Sequence, residues 1–186
     1  GSRGDTPLPE TTPLHGGADL MFVEQVGQAW EGATTSAEQA GIRTVHARIG
    51  LVVTPAGGAM EKMLLPFQAG VGGRMGDGRQ YMSWIGIDDV VGAIHHAIGT
   101  PALTGPVNFT APTPLTNSEF TRVLGQVLGR PTPFPVPAAA LRLAVGEMAD
   151  ELLLASVRVI PERLRASGYE FRHGELAAVL RHVLGR

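Results

Sequence analysis

The ten residues TVHARIGLVV, Thr44 to Val53, constrain this chain more than any other feature. The run is β-branched, apolar and short, the pattern of a strand buried on both faces of a sheet. Such a strand requires helices above and below it and paired neighbours on both edges, because buried backbone N–H and C=O groups must find partners. The rest of the chain supplies that cover only in part. The sequence therefore predicts a fragment of a larger parallel sheet, or else an intimate oligomer.

Around this strand the pattern divides into three. Residues 1–19 are polar, proline-rich and aperiodic and read as a flexible loop with no core-facing side. In residues 20–110 a helix from Leu20 to Ala40, closed by Gly41, precedes the strand, and a helix from Ala59 to Ala69 follows it, interrupted near Pro66. Asp77-Gly78 then signals a hairpin turn leading into a strand from Arg79 to Ile87. Asp88 and Asp89 open a helix whose face is Val90, Ile94, Ala97 and Ile98, and PVNFTA is a further strand. Residues 111–186 form a mostly helical lobe. Its clearest helix starts at a Thr116/Glu119 capping box, carries the stripe Phe120, Val123, Leu124, Val127 and Leu128, and stops at Gly129. Beyond Pro137, VRVI and YEF read as extended and Glu175 to Leu184 as the final helix.

Composition removes several function classes. With 15 Lys and Arg against 17 Asp and Glu, the net charge of −2 gives no field to gather phosphate backbones, so nucleic acid is not an expected partner. The absence of Cys excludes disulfides and thiolate chemistry and suits the cytoplasm. No apolar span approaches the roughly 20 residues of a membrane helix, so no membrane partner is expected.

The chemistry-bearing residues have bland and sharp readings. Asp88 and Asp89 stand where carboxylates accept hydrogen bonds from the free amides of a helix start, and capping is the expected role. His95 and His96 are about 100° apart on a helix and cannot chelate together. His15, His46, His173 and His182 show no ligand spacing, so no metal site is expected. GVGGRMGDG misses the G-x-G-x-x-G spacing of a dinucleotide loop. PAGGAMEK leads into a helix whose first amides suit an anion beside Lys62, although a simple glycine turn is the favoured reading. Trp84, on one strand face with Gln80, is either core or the wall of a ligand pocket.

The order RIGLVV, GGAMEKMLLPFQAGVGGRMGDGRQYMSWIGIDDVVGAI, LTGPVNFTAPTPLTNSEF resembles the C-terminal part of atypical extended short-chain dehydrogenase/reductase proteins of the epimerase family. The stretch LRLAVGEMADELLLASVRVIPERLRASGYEF is similar to the small C-terminal domain of unknown function that closes such chains. The resemblance implies an α/β fold: the last helix and strands of a Rossmann-like sheet, then a small, mostly helical substrate lobe. It also implies NADP or NAD as cofactor, with Ile49, Gly50 and Leu51 approaching the nicotinamide, and Lys62, Gln80 and Trp84 on the substrate side. The partner it implies is a small-molecule substrate, together with the missing N-terminal half or a second copy. Three features depart from the family pattern. No glycine fingerprint follows a strand; Val23 and Gly27 stand where Tyr-x-x-x-Lys moves a proton in ordinary members; and Met82 replaces an arginine that holds a sugar-nucleotide diphosphate. A non-catalytic nucleotide- or metabolite-binding module on the same scaffold is the alternative expectation.

Overall fold

A computed structural model describes residues 2–13 and 22–186. Its strands are β1 (Pro7–Leu8), β2 (Val45–Ile49), β3 (Leu51–Val53), β4 (Tyr81–Met82), β5 (Trp84–Gly86), β6 (Gly105–Phe109), β7 (Leu115–Thr116) and β8 (Arg158–Val159). Its α-helices are α1 (Phe22–Gly32), α2 (Thr35–Gln39), α3 (Gly58–Gln68), α4 (Ile87–Gly99), α5 (Asn117–Leu128), α6 (Ala138–Val145), α7 (Glu162–Ala166) and α8 (Leu176–Leu184). A π-helical turn spans Ala149–Leu153. β2 pairs with β6, β3 with β5 and β1 with β8, all parallel, while β4 and β7 are antiparallel. The alternating, largely parallel topology is Rossmann-like.

The expected ten-residue strand is two strands that change partner at Gly50. A side chain at Gly50 would stand 2.6 Å from the Ser83 carbonyl oxygen, so the backbones meet where only glycine fits. Burial on both faces holds for only one of the two. Leu51 and Val53 pack with Trp84 into one core beneath α3, α5 and α8. Val52 packs with Ile85 into a second core with Val90, Ala93, Val107, Phe109 and Leu164. Successive residues of β3 and β5 thus feed opposite cores, as strand alternation requires. In β2, by contrast, Ile49 is 48% exposed.

Other expectations are corrected. Residues 2–13 have a core-facing side: β1 pairs with β8, and the Glu10 carboxylate is buried, accepting the backbone N–H of Asn108. His15 and the expected helix start at Leu20 lie outside the described residues. The helix expected to run to Ala40 breaks between α1 and α2, where the Thr34 and Thr35 hydroxyls bond back to the Glu31 and Gly32 carbonyls. α3 passes through Pro66 uninterrupted.

Asp77-Gly78 turns without a hairpin. The strand expected from Arg79 to Ile87 is split at Ser83, with β4 joining β7 and β5 joining β3. No strand forms at Tyr169–Phe171. On α4 the buried face is Val90, Ala93 and Ala97, whereas Ile94 and Ile98 are exposed. The capping box of α5 forms as expected: the Thr116 hydroxyl accepts from Glu119 N–H, and the Glu119 carboxylate accepts from Thr116 N–H at 2.8 Å.

Candidate functional site

The C-terminal end of β2 opens on a recess of about 280 Å³ whose walls include Arg3, Leu8, Glu24, Ile49, Thr110 and Val159. Sequence-distant segments build it: β1 and β8 on one side, α1 on another, and β2 with the residue after β6 as its floor. Arg48 also lines it, held by Glu31 of α1 through two hydrogen bonds of 2.7 and 2.9 Å. That guanidinium lowers the Glu31 pKa below its ordinary value, against the opposing effect of burial.

The predicted residues fall in different places. Ile49 and Gly50 line the recess, whereas Leu51 packs against the Trp84 core. Trp84 is 1% exposed, and its indole N–H donates to the Thr113 carbonyl at 3.0 Å, so its surroundings are those of core. The Gln80 amide, just before β4, donates to the carbonyls of Met75 and Leu153. Gln80 also borders a second, polar hollow of about 690 Å³ with Asp5, Asp77, Arg79 and Ser118. Lys62 is exposed on α3 and borders neither cavity. Lys62, Gln80 and Trp84 are therefore not gathered into one site.

The paired aspartates do not cap α4. The N-cap is Gly86, and no side chain bonds there. Asp89, 1% exposed, accepts the Tyr169 hydroxyl at 2.9 Å and the backbone N–H groups of Arg172 and His173 at 2.8 and 3.1 Å. Burial first, and then the hydrogen bond to Asp89, push the Tyr169 pKa well above the ordinary phenol value. Asp88 Oδ2 lies 2.8 Å from His182 Nε2. Both carboxylates reach across to the segment that holds Tyr169, Arg172, His173 and His182. No periodicity signals this, because the partners lie 80 to 94 residues away.

The edges of the β2–β6 pair differ. Around β6, the Glu10 carboxylate accepts Asn108 N–H, and Arg163 Nη1 donates to the carbonyls of Thr104 and Pro106. On β2, no strand other than β6 is paired among the described residues. The exposed side chains of Ile94 and Ile98 stand close by, in a hollow of about 270 Å³ with Val45, Ala47 and Phe109.

This fold defines a Rossmann-like α/β protein. Residues 136–183 match a domain of unknown function (DUF1731). The chain is 47% identical over 169 residues to the epimerase family protein Mb2239 of Mycobacterium bovis, covering 91% of this chain and 56% of that one. It superposes on the crystal structure of human epimerase family protein SDR39U1 (isoform 2) with NADPH at a TM-score of 0.87 and 35% identity, over 97% of this chain and 60% of that one. A nucleoside-diphosphate sugar epimerase from Corynebacterium glutamicum gives 0.76 and 31%, over 99% and 34%. The chain spans a little over half the length of the curated relatives it matches. Over that span it is similar to the epimerase family proteins.

No helix among the described residues is long and apolar enough to cross a membrane.

Proposed function

We propose that this chain is the C-terminal part of an NAD(P)-dependent epimerase- or oxidoreductase-like protein, contributing the last sheet strands and the substrate-side lobe. The carrying observation is the asymmetry of the β2–β6 pair. Side chains occupy the β6 edge, while among the described residues no second strand pairs with β2 beside the half-exposed Ile49 and the recess. A further parallel strand fits only on the β2 side.

The residues fit one end of the cofactor and not the other. The recess at Ile49 and Gly50 has an apolar floor and the volume for a nicotinamide ring. No G-x-G-x-x-G turn is present to hold a pyrophosphate. When bound, the cofactor supplies hydride chemistry; the chain's own part is to wall the ring and exclude water. Leu51 would act from behind by fixing Gly50, and Lys62 and Gln80 would meet substrate only through parts of the protein beyond this chain. A cytoplasmic location and a preceding segment or second copy at the β2 edge belong to the same proposal.

The test is titration of the full-length protein with NADPH. Saturable binding that Ile49→Arg weakens supports it, and failure of every dinucleotide to bind or to shift the melting temperature overturns it. The alternative, a non-catalytic sensing module, is favoured by Val23 and Gly27, neither of which can move a proton. Gly27 has open space where a side chain would stand. Binding with no turnover of any carbonyl or sugar substrate selects that alternative.

A further inference from the structure

Three side chains that show no ligand spacing in the sequence converge at the joint between α4 and the C-terminal lobe. Asp88 comes from the first turn of α4, His173 from the turn before α8, and His182 from α8 itself. One ligand atom from each lies within 4.8 Å of the others. The two imidazole rings are 4.8 Å apart and inclined by 32°. His182 bonds Asp88, and the His173 ring takes no hydrogen bond among the described residues although it is turned toward that pair.

We propose that Asp88, His173 and His182 bind a borderline divalent transition ion, zinc or nickel, that clips the C-terminal lobe to α4. Two neutral imidazole nitrogens and one carboxylate oxygen are the donor set such ions take, whereas calcium and magnesium take oxygen alone. Ligand atoms around tetrahedral zinc are about 3.4 Å apart, given metal–ligand bonds of about 2.1 Å. The cluster reaches that spacing by side-chain rotation.

The frame is rigid where it needs to be. Buried Asp89 grips the backbone N–H of His173, and Leu176, Val179 and Leu180 anchor α8 in the core. The Asp88 and His182 side chains are 35% and 54% exposed, so an ion enters from solvent and a water completes its shell. The His182–Asp88 hydrogen bond is what such a pair forms when no ion separates its members.

The experiment uses the full-length protein, freed of any histidine tag and stripped with EDTA, titrated calorimetrically with zinc chloride and then nickel chloride. One equivalent is expected to bind and to raise the melting temperature by roughly 5 °C at saturation. His173→Gln and His182→Gln should each weaken binding at least as much as the roughly 10- to 100-fold that loss of an outer partner costs. His95→Gln, on the exposed side of α4, should leave it unchanged. The His182→Gln protein serves even if other variants misfold, because its side chain is half exposed; an unaltered melting temperature in EDTA shows that it has folded. Absence of binding overturns the proposal, and so does zinc binding that survives both His173→Gln and His182→Gln.

Discussion

The two parallel strand pairs at the centre of this molecule, β2–β6 and β3–β5, take their first strands from one continuous stretch of chain yet meet opposite fates. β3–β5 is covered on both faces, with Trp84 and Val53 in one core and Ile85 and Val52 in or against the other. In β2–β6 the end of β6 is buried on both faces, but β2 is less covered, with Ile49 half exposed, Ile94 and Ile98 bare beside it, and α1 without one buried residue. The letters differ too, since β3 and β5 hold no polar residue while β2 carries His46 and Arg48 and β6 carries Asn108. Burial therefore follows both the strand's own side chains and the partners it finds among the described residues.

The largest expected effect contrasts the two pairs directly. Trp84→Ala empties the closed core and should cost about 3 to 5 kcal/mol in urea unfolding. Ile49→Ala in the same chain should cost about 0.5 kcal/mol or less, as exposed substitutions do. A cost at Ile49 close to that at Trp84 would mean that the open side is covered in solution, and sedimentation would then show whether a second copy covers it.

Next in size is Asp89→Ala. It strands the Tyr169 hydroxyl and two backbone N–H groups in a site 1% exposed, and should cost about 3 kcal/mol. Because these bonds tie α4 to the C-terminal lobe, hydrogen exchange at Arg172 and His173 should rise with it. Burial and Asp89 hold the folded-state pKa of Tyr169 above the ordinary value of 10.0. That share of stability is present below pH 10.0 and fades as the pH rises through the raised value. Smaller again is Thr116→Ala, which removes one half of the α5 capping box and should cost about 1 kcal/mol.

Legibility followed the range of the interactions. The α5 cap, its apolar stripe and its stop at Gly129 were readable because each partner lies within one or two turns. The run around Ile49 was readable as extended, though not its division into two strands at Gly50. Asp88 and Asp89 misled, since a helix-start carboxylate has a common local use and these two spend their hydrogen bonds on a lobe 80 or more residues away. Asp77-Gly78 misled similarly: the turn chemistry is there, with Gly78 at φ 72°, but the strands on either side pair elsewhere. Trp84 and Gln80 do not share a strand face, because Gln80 lies before β4 and the strand is split at Ser83, and the sequence does not show that Thr113, Met75 and Leu153 would take up their N–H groups.

The smallest expected effect lies on the open side and asks how open it is. Glu31 and Arg48 form a two-bond pair with about a quarter of each side chain accessible, so the solvent-screened pair should contribute about 1 kcal/mol or less. Arg48 lowers the folded-state pKa of Glu31 below its ordinary 4.5. The contribution is therefore present above pH 4.5 and lost as the pH falls through the lowered value. Melting temperatures of wild type and Glu31→Gln should differ slightly at neutral pH and converge in acid, because Glu38 and Asp150, whose pKa values are also lowered, titrate equally in both proteins. Added salt should narrow the neutral-pH gap if the pair faces water. If a further strand covers β2 in the full-length protein, the same substitution there should cost more and respond less to salt, since burial strengthens the coupling and shields it from ions. Equal costs and equal salt dependence in the two lengths would show that no cover reaches Arg48, and the contrast between the two strand pairs would then need a cause other than missing neighbours.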